Sequence, residues 1–216
     1  MKKEKIAYLF LNGELLGEME FYKNFMEKKI GEIFCADGGY NFLVGTKLLP
    51  KEIWGDMDSI NLKELEKLEK ENKVELKKFD KRKNYTDGEL LVKYLTELCY
   101  DTIYIIAGLG GRKSHELINI SMLSKYPNLI FLTEKEQVFY IKRNDIIENI
   151  ESHIISFLPL SETVEELSLK GFDYELQNYK LEQGDSRCLG NKINSKVGKI
   201  NYKSGVLIAI LENHIN

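Results

Sequence analysis

The chain has 216 residues, of which 43% are hydrophobic, and this is enough to bury the core of one large domain or two small ones. Lys and Arg number 31 against 34 Asp and Glu, so the basic field needed for non-specific nucleic-acid binding is missing and no nucleic-acid partner is expected. The first apolar run is broken at Asn12-Gly13 and is too short for a signal peptide or a membrane span, which predicts a cytoplasmic protein with no membrane attachment.

Runs typical of β-strands alternate with helical patterns through the first two thirds of the chain. We predict strands over residues 5–11, 32–36, 51–54, 74–79, 102–107, 129–132 and 137–142. We predict helices over residues 18–29, 39–47, 61–72, 86–99 and 115–125. This alternation predicts an α/β fold with a mostly parallel, doubly wound sheet. Thr86 and Glu89 form a capping box that marks a sharp start for the fourth helix.

The helical period disappears after about residue 145. Strand-like runs separated by Gly, Pro, Ser and Asn follow at 154–158, 164–169, 174–181, 199–202 and 206–211. We therefore predict an α/β domain over residues 1–145 and a smaller all-β, sandwich-like domain over residues 146–216.

The loops that follow the first five strands are rich in acidic residues and glycine. In an open parallel sheet, ligands bind beyond the carboxyl ends of the strands, so these loops are expected to form one rim. The loops contain Asn12-Gly13, Asp37-Gly38-Gly39, Gly55-Asp56-Met57-Asp58, Asp80 and Gly108-Leu109-Gly110-Gly111-Arg112. We call this set of loops the rim.

Asp56 and Asp58 are one residue apart, and paired carboxylates repel each other unless a cation lies between them. Oxygen ligands of this kind suit Mg²⁺. Asp37 and Asp87 raise the count to four carboxylates, which is more than an all-protein magnesium site needs and suits ions shared with substrate phosphates.

Gly110-Gly111-Arg112 provides the complementary anion site, because its glycines allow close approach of the backbone and a helix begins just beyond it. The spacing matches neither a Walker loop nor a dinucleotide-binding fingerprint. These residues and those at the predicted helix starts also have purely structural interpretations: a turn at Asp37-Gly38-Gly39, a cap at Thr86, or a polar helix start at Asp87 and His115. The run Lys81-Arg82-Lys83 is either a solvated surface or a contact for triphosphate.

Taken together, these motifs resemble the thiamine pyrophosphokinase family. The resemblance is carried by motifs in matching order and spacing: Asp37-Gly38-Gly39, Gly55-Asp56-Met57-Asp58-Ser59, Thr86-Asp87-Gly88-Glu89 and Gly110-Gly111-Arg112 with His115 and Asn119. It extends into the predicted β domain through Gly171-Phe172-Asp173-Tyr174-Glu175-Leu176 and Ser204-Gly205-Val206-Leu207. It thus covers nearly the whole chain.

The resemblance implies transfer of the β,γ-diphosphate of ATP to the hydroxyl of thiamine, with Mg²⁺ as cofactor. It implies metal binding by Asp56, Asp58 and Asp87, with Asp37 assisting. An ATP site would be lined by Asn12, Thr86, Gly110, Gly111, Arg112 and His115. The general base stays open between Asp87 and Asp37.

The resemblance also implies a homodimer that binds thiamine between the β domain of one subunit and the nucleotide domain of the other. Tyr174 would stack on the thiamine ring and Asn191 would hydrogen-bond it. A cationic heterocycle favours an aromatic face, although Tyr174 could equally be a core residue of a strand.

Three residues depart from the family pattern, which usually has Asp at the positions of Asn84 and Ser114 and Ser at the position of Gly190. They leave two alternatives open. One is a diphosphokinase for another alcohol, such as a hydroxymethylpterin, and the other is a sensor that binds thiamine or nucleotide without turnover.

Overall fold

The computed structural model describes residues 3–79, 84–148 and 152–213. The chain forms two compact units: Met1–Asn119 with Asn128–Glu134, and Ile120–Pro127 with Lys135–Asn216. The domain boundary predicted at residue 145 stays a prediction. Asp80 and the run Lys81-Arg82-Lys83 lie outside the described residues.

The helices of the described residues include none that combines the length and the apolar character needed to cross a membrane. The cytoplasmic location stays a prediction.

The first unit contains six parallel strands in the order β4-β3-β2-β1-β5-β6. The strands are β1 (Ile6–Phe10), β2 (Glu32–Ala36), β3 (Glu52–Gly55), β4 (Glu75–Lys78), β5 (Thr102–Ile106) and β6 (Leu129–Leu132). The helices are α1 (Met19–Lys28), α2 (Leu62–Glu71), α3 (Asp87–Glu97) and α4 (Lys113–Ser121), with a 3-10 helix at Asp37–Leu43. The α/β class predicted from the sequence is confirmed.

Strand β1 is central in this sheet and all five of its residues are buried, as a strand covered on both faces should be. It pairs with β2 on one side and with β5 on the other, in a register that runs from Ile6 opposite Thr102 to Phe10 opposite Ile106. From β1 the chain continues to β2 on one side of the sheet, whereas from β5 it continues to β6 on the other side. This reversal of strand order makes the junction between β1 and β5 the topological switch point, where a crevice opens. The fold therefore directs a ligand to the rim.

Local sequence signals set the helix boundaries. Thr86 Oγ1 accepts a hydrogen bond of 3.1 Å from the backbone N–H of Glu89, which confirms the predicted start of α3. The helix predicted over residues 39–47 is wrong, because this segment forms the 3-10 helix Asp37–Leu43. Its two glycines favour helix poorly, and Gly45 adopts a φ of +78°, so no α-helical turn propagates.

A buried carboxylate lies on β3, outside the rim. Glu52 is 3% exposed and accepts hydrogen bonds from Trp54 Nε1 at 2.7 Å and from Tyr94 OH at 3.1 Å. The Lys77 ammonium lies 2.9 Å from Glu52 Oε2 and over the rings of Trp54 and Tyr94. This cluster joins β3, β4 and α3 and supplies every partner that a buried charge needs.

The second unit contains two antiparallel four-stranded sheets. The strands are β7 (Glu136–Ile141), β8 (Asp145–Glu148), β9 (Ile154–Pro159), β10 (Thr163–Lys170), β11 (Leu176–Glu182), β12 (Asn191–Lys192), β13 (Val197–Asn201) and β14 (Leu207–Glu212). One sheet has the order β12-β9-β14-β7 and the other β11-β10-β13-β8. Buried residues of both sheets, such as Phe157, Leu167, Ile200 and Leu207, belong to one core. The sequence did not predict β8 and β12, and β11 begins at Leu176, so Tyr174 is not on a strand.

Candidate active site

The rim loops after β1, β2 and β5, together with the starts of α3 and α4, line a cavity of about 650 Å³. Every residue proposed from the sequence for the ATP site lines it: Asn12, Thr86, Gly110, Gly111, Arg112 and His115. Asp37 and Asp87 line it too. The structure thus brings residues from the ends of β1, β2 and β5 and from the start of α3 to one crevice.

Three carboxylates of the rim, those of Asp37, Asp56 and Asp58, lie close enough to share one cation, and we call them the acidic group. Asp37, Asp56 and Asp58 each offer an oxygen, and these oxygens all lie within 4.8 Å of one another. Asp37 Oδ1 is buried and has no hydrogen-bond partner among the described residues. A buried carboxylate oxygen without a partner is costly, and a metal ion would satisfy it. Asp87, which the sequence placed with Asp56 and Asp58, is not a member of this group.

Hydrogen bonds within the loop after β3 hold the acidic pair in place. The backbone N–H of Asp58 donates to Asp56 Oδ1 at 3.3 Å, and Ser59 Oγ donates to Asp58 Oδ1 at 3.1 Å. Asn41 Nδ2 donates to the carbonyl of Ser59 at 2.8 Å, which ties this loop to the 3-10 helix after β2. The two loops are therefore positioned as a unit.

Unusual backbone conformations mark the ends of three strands at the rim. Asp37, Met57 and Ala107 have φ values of 46°, 65° and 55°, in the left-handed region that non-glycine residues seldom adopt. Each conformation costs of order 1 kcal/mol and persists only when its surroundings enforce it. Their positions in the loops after β2, β3 and β5 are typical of a functional site.

Close backbone approach explains the glycines beside Asp37. A Cβ atom on Gly39 would lie 2.2 Å from the carbonyl oxygen of Phe10, and one on Gly55 would lie 2.8 Å from Asp37 Cβ. Side chains at these positions would separate β1 from the 3-10 helix and β3 from Asp37. The glycines thus permit the spacing of the three carboxylates.

The turn that precedes α4 forms another part of the cavity lining. Gly110 and Gly111 have φ values of 79° and 72°, and no atom lies within 4 Å of the place where a Cβ of Gly111 would be. Asn119 Nδ2 donates to the carbonyl of Gly108 at 2.7 Å and anchors the turn from α4. Arg112 is exposed at the start of α4, and its backbone carbonyl accepts from the N–H of His115 at 3.0 Å. A turn of this shape, a guanidinium and a helix start together favour an anion.

Glu14 is a cavity residue that sequence reasoning missed. Its carboxylate oxygen Oε2 accepts a hydrogen bond of 3.2 Å from the backbone N–H of Gly111. Glu14 follows Asn12-Gly13 in the loop after β1, and no spacing rule connects it with a turn 97 residues later. Only the neighbouring positions of β1 and β5 could have indicated the contact.

In the second unit, Tyr174 and Asn191 lie next to each other. Tyr174 is 59% exposed, whereas Asn191 is 2% exposed. Asn191 Oδ1 accepts from the N–H of Tyr174 at 3.0 Å, and Asn191 Nδ2 donates to the carbonyl of Tyr174 at 2.9 Å. The Asn191 amide therefore fixes the backbone that presents the Tyr174 ring. Its predicted hydrogen bond to a ligand stays a prediction.

The three residues that depart from the family pattern are all exposed. Ser114 lines the cavity, and Asn84 lies two residues before the cap of α3. Gly190 has a φ of 60°, its N–H donates to Ser156 Oγ at 2.9 Å, and no atom lies within 4 Å of the place where its Cβ would be. None of the three belongs to the acidic group.

Comparison with known proteins gives matches over both units. A family model described as thiamin pyrophosphokinase, catalytic domain, matches residues 23–133, and one described as thiamin pyrophosphokinase, vitamin B1 binding domain, matches residues 140–207. The thiamine pyrophosphokinase of Bacillus subtilis is 34% identical over an alignment of 181 positions, which covers 81% of this chain and 84% of that protein. Thiamin pyrophosphokinase 1 of Caenorhabditis elegans is 24% identical over an alignment of 225 positions, gaps included, which covers 96% of this chain and 90% of that one.

Solved structures give the same result for the fold. The crystal structure of the Bacillus subtilis thiamine pyrophosphokinase superposes with a TM-score of 0.86 at 26% identity, covering 98% of this chain and 100% of that one. The thiamin pyrophosphokinase of Candida albicans superposes with a TM-score of 0.79 at 20% identity, covering 98% and 90%. The second likeness concerns the fold alone.

Proposed function

The chain belongs to the thiamin pyrophosphokinase family and has that family's activity, and we propose that the rim performs it with a divalent metal ion bound by Asp37, Asp56 and Asp58. The reaction transfers the β,γ-diphosphate of ATP to the hydroxyl of thiamine and yields thiamine diphosphate and AMP. The observation that carries the proposal is the acidic group, whose three oxygens lie within 4.8 Å of one another and whose member Asp37 lines the cavity.

The residues of the acidic group fit Mg²⁺. Their donors are carboxylate oxygens, and the buried Asp37 Oδ1 has no hydrogen-bond partner among the described residues. When bound, Mg²⁺ supplies positive charge that neutralises phosphate oxygens as the diphosphate moves. We keep Asp87 as a further candidate ligand, since it opens α3 and lines the same cavity as Asp37.

The part of the cavity lining formed by the turn before α4 would bind the phosphates of ATP. The Gly110-Gly111 turn and the start of α4 present backbone N–H groups, and Arg112 adds a planar guanidinium that pairs with two phosphate oxygens. In this arrangement the protein holds the β-phosphorus in line with the attacking alcohol, which is the main task in phosphoryl-type transfer. Of the two candidates for the general base, Asp87 lines the cavity outside the group of three carboxylates, so we propose that it accepts the proton of the alcohol.

A comparison of two alcohols tests which of them accepts the diphosphate. Purified protein with ATP and Mg²⁺ should release AMP when thiamine is added, and the second product should be thiamine diphosphate. A hydroxymethylpterin, the alternative alcohol left open by the sequence, should give no AMP above the background without acceptor. Release of AMP with the pterin and not with thiamine would reject thiamine as the substrate.

Tyr174→Ala is expected to raise the apparent KM for thiamine about tenfold while changing that for ATP less than twofold. The ring is 59% exposed and its backbone is fixed by Asn191, so it forms a ready platform for a cationic heterocycle. Steady-state kinetics with each substrate varied in turn would measure both constants.

Tyr174→Phe is the matched control, because it removes the hydroxyl and keeps the aromatic face. It should behave like the wild type. Equal increases of both KM values in Tyr174→Ala, or an equal loss in Tyr174→Phe, would reject stacking as the role of the ring.

We further propose a homodimer in which the site is shared between subunits, as the family resemblance implies. Mixing Asp56→Asn with Tyr174→Ala protein, after dissociation and reassembly, should then raise the activity at thiamine concentrations below the KM of the Tyr174→Ala protein, since heterodimers regain one site with both residues intact. Light scattering should give twice the mass of 25.1 kDa. A monomeric mass, or a mixture no more active than its components, would contradict the shared site.

A further inference from the structure

The Gly110-Gly111 turn that we assign to phosphate is hydrogen-bonded to an anionic side chain of the protein itself. The Gly111 N–H donates to Glu14 Oε2 at 3.2 Å. A Cβ on Gly110 would lie 3.2 Å from Glu14 Cβ and 3.3 Å from Glu14 Oε2, so the glutamate side chain packs directly against this glycine. The backbone N–H groups of such a turn are what a phosphate oxygen would otherwise use.

The backbone around Glu14 has little freedom to carry the carboxylate away. The N–H of Leu11 donates to the carbonyl of Ile106 at 2.9 Å, and a Cβ on Gly13 would lie 2.3 Å from the carbonyl oxygen of Ala107. The loop after β1 is thus held against the loop after β5. Rotation of the Glu14 side chain, which is exposed, is the available way to release Gly111.

The charges that line the cavity make this contact unfavourable for a bound nucleotide. Glu14, Asp37 and Asp87 line it as carboxylates, and Arg112 is the one guanidinium in the described lining. The acidic group contains Asp37 and not Glu14, so a metal ion there would leave the Glu14 charge in place. A triphosphate at the Gly110-Gly111 turn therefore meets both repulsion from Glu14 and competition for the Gly111 N–H.

We propose that Glu14 tunes how strongly the site binds polyphosphate. Its carboxylate competes with the nucleotide phosphates for the Gly111 N–H and is released from Gly111 when ATP binds. The inference rests on the proposed function, since it assigns the turn to phosphate. In the free protein Glu14 keeps the two-glycine turn ordered. In the complex its negative charge weakens the affinity for polyphosphate and leaves the affinity for the uncharged parts of the nucleotide unchanged.

Glu14→Gln separates the ordering of the turn from the repulsion of the phosphates, because glutamine keeps the hydrogen-bond acceptor and the size of the side chain while removing the charge. Binding of α,β-methylene-ATP with Mg²⁺ should be measured by calorimetry, since this analogue lacks the bond that the reaction breaks. We expect Kd to fall about fivefold, the factor that corresponds to one repulsive pair of unit charges 4 Å apart in water. Inorganic triphosphate should show the same gain and adenosine no change.

Glu18→Gln is the matched control, as it removes the same charge from the same segment but lies outside the cavity lining. Its Kd for the analogue should stay within twofold of the wild type. An unchanged or weaker affinity in Glu14→Gln would overturn the proposal, as would an equal gain in Glu18→Gln or a gain for adenosine. A wild-type protein that bound no nucleotide at all would instead reject the proposed function.

Discussion

Asp56→Asn should lower kcat for diphosphoryl transfer by about 10³-fold or more, because it takes a charged ligand from the proposed metal ion, whose charge would neutralise the moving phosphates. Asp58→Asn should have a similar effect. Both residues lie in a loop of the rim and outside the hydrophobic cores, so the melting temperature of each variant should stay close to that of the wild type. AMP formation under saturating ATP, thiamine and Mg²⁺ measures the loss.

Glu66→Gln is the control for charge, since Glu66 is an exposed residue of α2 outside the acidic group. It should keep wild-type activity. A metal titration gives a second readout: the aspartate variants should need more Mg²⁺, or a Mn²⁺ substitute, for any residual turnover. Near-wild-type AMP production by both aspartate variants would reject the metal site.

Glu52→Ala is expected to reduce the free energy of unfolding by about 3 kcal/mol, because removing one partner of a buried ion pair leaves the others uncompensated. Lys77 would lose its 2.9 Å partner, and the N–H of Trp54 would lose its acceptor. Urea denaturation followed by tryptophan fluorescence measures the change, since Trp54 is the single tryptophan of the chain.

Glu75→Ala is the matched control, because Glu75 contacts the same Lys77 at 3.5 Å but is 62% exposed. An exposed pair contributes at most about 1 kcal/mol, so this variant should be nearly as stable as the wild type. Equal losses in Glu52→Ala and Glu75→Ala would show that burial of Glu52 does not matter.

The stabilisation from Glu52 should also depend on pH. Burial alone would raise the pKa of Glu52. This effect is outweighed by the charge of Lys77 and by hydrogen bonds from Lys77, Trp54 and Tyr94, so the pKa of Glu52 lies below its usual value. The contribution is therefore fully present above the unfolded pKa of about 4.3 and is lost as pH falls through the folded pKa. The stability difference between wild type and Glu52→Ala should shrink in that acidic range. A difference that grew on acidification would contradict this sign.

The sequence predicted most of the first unit because its signals are local. Continuous apolar runs such as Ile6–Phe10 indicate strands buried on both faces, and Thr86 with Glu89 indicates where α3 begins. The α-helix predicted over residues 39–47 is wrong because Gly39 is needed for close approach to β1, a tertiary requirement that no window of sequence reveals. Short strands such as Asn191–Lys192 have too few residues to show a period.

The residues proposed for the ATP site could be predicted because each follows a strand or opens a helix, and the parallel sheet brings these positions to one edge. The third member of the acidic group could not be chosen in this way. Four carboxylates were available, and the structure groups Asp37 with Asp56 and Asp58 because Gly55 lets β3 approach Asp37 closely. The hydrogen bonds of Asn191 to the backbone of Tyr174 could not be predicted from the sequence either, and its predicted hydrogen bond to a ligand stays a prediction.

The register of β1 has a consequence for how the protein is made. Strand β1 pairs with β2, which follows it within about 30 residues, but its other edge waits for β5, whose first residue is Thr102. Contacts between residues so distant in sequence close large loops and slow folding. During synthesis on the ribosome, the acidic loops after β2 and β3 therefore emerge well before the Gly110-Gly111 turn that completes the cavity. The nascent chain would have its cation-binding half first and gain its anion-binding half only after about half of the polypeptide has been translated.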